Sequence, residues 1–185
     1  MEAYVDIIIR ILWTQPQVRF SVAVGLVLAA VVGLLRARSG RSWIAPACLV
    51  ASLSLTLGVT LFSWRGPGGV GPGPDPLSQC RLLVEWASLP TELRSPGGLL
   101  NIALFAPLGL FATLVWRRPI IVVLGAVALS ACIEITQAFG GAHDCTSTDT
   151  IANTTGALLG AGLAWIVMSG VRARSPRART PTDRL

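Results

Sequence analysis

A chain of 185 residues that is 52% hydrophobic and only 13% charged, with a mean hydropathy of +0.65, lacks the composition of a soluble domain, in which about a quarter of residues carry charge. The net charge of +6 rests on arginine alone. Those arginines cluster at the ends of apolar runs, which excludes nucleic acid as the partner behind the high pI. One membrane domain is expected.

Residues 1–17 read as an interfacial lead-in. Val5, Ile8, Ile9 and Leu12 recur at roughly helical spacing beside Asp6, Arg10 and Trp13, and Trp favours the membrane boundary. No cleavable leader is expected, because acids precede the apolar patch and no small-residue site follows it.

Five apolar runs follow, at about 18–35, 43–64, 98–116, 119–139 and 149–169. Each reaches or approaches the roughly 20 residues a helix needs to cross hydrocarbon. Only helices satisfy their own backbone in lipid. The expected fold is therefore all-α, a polytopic bundle of about five transmembrane helices filling residues 18–169. Between the second and third runs, residues 66–76 are Gly/Pro-rich, and 77–89 place Leu82, Trp86 and Leu89 on one face. That face predicts a short interfacial helix in the outer loop.

Arginine placement sets the expected orientation. Arg36, Arg38, Arg41, Arg117, Arg118 and the arginines of the tail fall on one side of the five runs. The positive-inside rule puts that side in the cytoplasm and the N-terminus outside. The tail, 170–185, should be disordered and lie against anionic lipid.

Polar residues are then the informative ones, since an ionisable side chain in hydrocarbon costs about 2.5–3.5 kcal/mol on insertion scales. Asn101 lies near the start of the third run, Glu134 and Gln137 near the end of the fourth, and Asp149 and Asn153 at the start of the fifth. With alternating directions, three helices deliver these groups to one depth, beneath the outer surface. Ser130, Glu134 and Gln137 share a face at i, i+4, i+7. Asp149, Asn153, Gly156 and Gly160 share another at i, i+4, i+7, i+11. The Gly156-x-x-x-Gly160 pair permits close helix approach and is expected to pack on the fourth run, bringing Glu134 near Asn153 or Asp149. Pro107 removes a backbone donor and should kink the third run.

In sequence order these residues form N-x-x-x-F-x-P-x-G (Asn101, Phe105, Pro107, Gly109), E-x-x-Q (Glu134, Gln137) and D-x-x-x-N-x-x-G-x-x-x-G (Asp149, Asn153, Gly156, Gly160). This ordered set, over about 98–165, resembles the VanZ-like family of bacterial membrane proteins. The resemblance implies a multi-pass plasma-membrane protein, associated in the family's namesake with reduced susceptibility to the glycopeptide teicoplanin. Two positions depart from the family pattern. His143 stands where an Arg is usual, six residues before the Asp, and Thr146 replaces a common acidic residue, with Asp144 nearby.

The expected binding set is Asn101, Glu134, Gln137, His143, Thr146, Asp149 and Asn153. Its partners would be membrane lipids and, by resemblance, a lipid-linked wall precursor or a lipoglycopeptide. Two alternatives stand beside that reading. One is an integral-membrane enzyme using Glu134 and Asp149 as acid and base on a lipid-linked substrate. The other is a small transporter or scaffold.

Cys80 and Cys145 are both expected outside, where a disulfide would tie the loop over the polar cluster; two free thiols are the alternative. No cofactor is expected. His143 and Cys145 lack a second zinc-ligand pair, and oxygen ligands from Glu134, Asp144 and Asp149 would serve only a divalent cation. The sole histidine lies in a loop, which disfavours a membrane serine protease. The GPGGVGPG stretch lacks the Lys of a phosphate-binding loop.

Overall fold

The computed structural model describes residues 15–62, 86–139 and 147–174, with backbone only at 62 and 171–174. Among them every regular element is a helix: α1 (Pro16–Arg38), α2 (Ile44–Phe62), α3 (Leu89–Leu93), α4 (Pro96–Trp116), α5 (Pro119–Phe139) and α6 (Ser147–Arg174). Five of these are long and apolar enough to cross a membrane, α3 being the exception.

Local chemistry sets the ends. Pro16, Pro96 and Pro119 open their helices, where a missing N–H costs nothing. Arg36 and Arg38 fill the last turn of α1, where cations suit the helix dipole. Arg117 adopts a left-handed conformation (φ 57°) and returns its N–H to the Thr113 carbonyl at 2.7 Å. Arg117 and Arg118 alone separate α4 from α5, so the two helices run antiparallel.

Most of the stretch expected to form a short interfacial helix lies beyond what the structure describes. Residues 77–85 lie outside the described residues. Residues 86–88 form a turn, Trp86 is exposed, and a five-residue helix, Leu89–Leu93, follows. Pro90 at its first turn explains the start. The lead-in at 1–14 and the tail beyond 174 also lie outside the described residues.

The closest helix pair is α4 with α6. A Cβ at Gly156 would meet the Ile102 carbonyl, one at Gly160 the Ala106 carbonyl, and one at Gly109 the Ala157 backbone. Both helices advance four residues between the first two contacts, so α4 and α6 run parallel. The buried stripe of α6 is small throughout, with Ala152, Ala157, Ala161 and Ala164 essentially inaccessible. Small residues let backbones approach where lipid offers no hydrophobic drive.

This corrects the expectation that Gly156 and Gly160 meet the fourth run: they meet the third, α4. At 3.6 residues per turn, Asn153 is rotated by roughly 40° from Asp149, and that offset turns Asn153 toward α5 while the glycines face α4. Pro107 lies within the continuous α4 helix.

Around this pair, α5 packs chiefly on α6, and α2 joins α4 through a Thr56 hydroxyl that donates to the Leu104 carbonyl at 3.3 Å. The main contacts of α1 are with α2, where Gly25 meets Ser54 and Gly58 meets Ser21. Phe105, Leu104, Leu108, Val59, Ile133 and Ala157 form the apolar core. Outward positions such as Ile120, Leu124 and Ile166 are well exposed, as lipid-facing residues are.

Candidate functional site

Four helix ends meet at one pole of the bundle: the last turns of α2 and α5 and the first turns of α4 and α6. They enclose a cavity of about 120 Å³ lined by Val59, Thr60, Gly97, Leu100, Asn101, Ile133, Glu134, Gln137, Asp149 and Asn153.

Each wall has a local cause. Ser95 caps α4, its hydroxyl accepting from the Gly98 amide at 3.1 Å, and this fixes the first turn. Gly98 fits against the Glu92 and Leu93 backbone of α3, where a Cβ has no room. One turn further, Asn101 Nδ2 donates to Asp149 Oδ1 at 2.9 Å, joining α4 to α6.

On α5 the face at Ser130, Ile133 and Glu134 is buried, Glu134 being 7% exposed. Gln137 Nε2 donates to the Thr60 carbonyl at 2.7 Å. That carbonyl belongs to α2, so the bond ties α5 to α2 at the level of the cavity. The Thr60 hydroxyl turns back to the Thr56 carbonyl at 2.7 Å.

On α6, Asn153 is 1% exposed and donates from Nδ2 to Ser130 Oγ at 2.8 Å. Its Oδ1 is buried with no hydrogen-bond partner. A buried unsatisfied acceptor costs about 1–3 kcal/mol.

The structure thus brings Asn101, Glu134, Gln137, Asp149 and Asn153 to one cavity. Pro107, Gly156 and Gly160 sit deeper, on the α4 and α6 helices whose backbones meet. His143, Thr146, Cys80 and Cys145 lie outside the described residues. Cys48 and Cys132 are free thiols. No group of three His, Cys, Asp or Glu side chains is placed to share a metal ion among the described residues.

Thr60 was not singled out from the sequence. It enters the site through its main chain, and its only signal was the Thr56/Thr60 pair at i, i+4 in an otherwise apolar run.

These features define a multi-pass helical membrane protein with a polar cavity at one pole. A family model described as VanZ/LLP1 matches residues 49–168, and the chain belongs to that family. The match starts inside α2 and spans α4, α5 and most of α6, the helices that build the cavity. No curated protein and no solved structure gives a significant match.

Proposed function

We propose that the polar cavity binds the headgroup of an envelope amphiphile at the outer leaflet. The observation that carries this reading is the convergence of five polar side chains from three helices on one cavity. Side chains so costly to insert are retained in membranes for ligands, ions or protons.

Size supports a headgroup. Pockets that enclose a drug-sized ligand measure about 300–1,000 Å³, whereas this one is about 120 Å³. Only the tip of a ligand fits, and its remainder lies outside, among lipid tails or beyond the membrane surface. Lipid-linked wall precursors and lipoglycopeptides have this form. A contribution to glycopeptide resistance would follow from such binding. The orientation is part of the proposal: Arg36, Arg38, Arg41, Arg117 and Arg118 lie at the opposite pole, and the positive-inside rule makes that pole cytoplasmic.

A second reading is favoured by two carboxylates, Glu134 and Asp149, lining one cavity. They would act as acid and base on a lipid-linked substrate.

The test is mass spectrometry of lipids that accompany the protein when it is extracted with its native membrane patch. Wild type should enrich a lipid species over the bulk membrane, and Glu134→Gln or Asp149→Asn should lose that enrichment at equal expression. Identical lipid profiles in all three proteins would overturn the binding reading. Accumulation of a chemically altered lipid only with wild type would favour the enzyme.

A further inference from the structure

The amide side chains of the cavity are oriented by bonds to the protein itself. Three amide side chains line the cavity, and each spends one of its two N–H groups on the protein. Asn101 donates to Asp149 Oδ1, Gln137 to the Thr60 carbonyl and Asn153 to Ser130 Oγ. For Gln137 the direction is forced, since a main-chain carbonyl only accepts; an ionised Asp149 forces it for Asn101 in the same way. With Nδ2 on Ser130, the group Asn153 leaves over is its carbonyl oxygen, fully buried and unpartnered. The carboxyl groups of Glu134 and Asp149 add acceptor capacity to the same walls.

A ligand that only accepts hydrogen bonds, such as a phosphate or carboxylate, would leave Asn153 Oδ1 unsatisfied and would meet acidic walls. A donor is required. Val59, Leu100 and Ile133 form the apolar part of the lining, which suits the methylenes of an organic cation better than the water shell of a metal ion.

Resting on the headgroup-binding reading, we propose that the cavity takes a primary ammonium group, whose N–H donors meet Asn153 Oδ1 and the acidic walls. Phosphate oxygens and quaternary ammonium groups are rejected. The volume of about 120 Å³ amounts to a few water-sized groups, enough for an aminoethyl end. The source is either a lipid headgroup or a soluble amine.

The experiment uses the full chain in detergent, with binding read by native mass spectrometry and thermal shift. The probes are phosphatidylethanolamine, its stepwise N-methylated forms up to phosphatidylcholine, phosphatidylglycerol and soluble ethanolamine. Affinity should fall with each methyl and be about tenfold or more weaker for the choline lipid, as loss of a donor to a buried acceptor predicts. Asn153→Leu should erase that discrimination. Asn153→Asp, which keeps an acceptor in place, should retain it and serves as the control for folding.

Competition by soluble ethanolamine supports the ammonium site and assigns it to a soluble amine; stabilisation by the lipid alone supports it and assigns it to a headgroup. Equal or tighter binding of the choline lipid would overturn the proposal. So would Asn153-dependent binding of phosphatidylglycerol, or chelator-reversible stabilisation by calcium or magnesium alone. Glu134-dependent lipid binding indifferent to N-methylation sinks only this inference. Absence of any cavity-dependent binding sinks the headgroup reading as well.

Discussion

Gln137 donates from Nε2 to the Thr60 carbonyl across 2.7 Å, so α2 is tied to α5 by a side chain 77 residues further along the chain. Removing the donor deletes a hydrogen bond between α5 and α2 within the bundle. Gln137→Leu should lower stability by about 1 kcal/mol, within the range for polar pairs between membrane helices. Gln137→Glu should cost more, because an ionised carboxylate would face that carbonyl with no proton between them. Thermal unfolding in detergent checks the order of the two variants.

The glycines of α6 divide sharply. A Cβ at Gly160 would strike the Ala106 carbonyl and the Leu110 amide, whereas nothing lies within 4 Å of one at Gly162. Gly160→Ala should therefore reduce yield and melting temperature, and Gly160→Leu should prevent α4 and α6 from docking. Gly162→Ala should be neutral or stabilising by up to about 1 kcal/mol from helix propensity. Matching effects of the two alanines would refute the close α4–α6 packing.

Thr113 is fully buried and its hydroxyl has no hydrogen-bond partner. Thr113→Val keeps the shape and deletes that unsatisfied group. The expected outcome is a rise of about 1 kcal/mol in stability, seen as a higher melting temperature. A clear loss would mean that the hydroxyl is satisfied in the membrane, for instance by water.

Orientation is read by thiol accessibility. With the four native cysteines replaced, a thiol at Glu92 should react with an impermeant reagent added outside intact cells. One at Arg118 should react only after permeabilisation. The reverse pattern would place the cavity on the cytoplasmic face.

How much of this was legible in the sequence follows from cost. Apolar length alone specified the crossing helices: α1, α2, α4, α5 and α6 fall on the five runs. Glu134, Asp149, Gln137, Asn101 and Asn153 stood out because hydrocarbon penalises them, and the alternation of helix direction put them at one depth. Helical periodicity says which residues share a face, but not which neighbour that face meets. The glycine face of α6 was therefore assigned to α5 instead of α4. Thr60 stayed hidden because it contributes a carbonyl, which every residue possesses.

The parallel α4–α6 pair also dictates an order of assembly. Its halves are the first and last helices of the Asn101–Asn153 network, with a complete antiparallel helix made between them. A nascent chain that has inserted α5 but not α6 holds Asn101 and Glu134 in the bilayer without Asp149, Asn153 or the glycine seam. The polar chamber closes only when the final helix leaves the insertion machinery, so a chain cut short before α6 presents unmatched polar groups to the membrane's quality-control proteases.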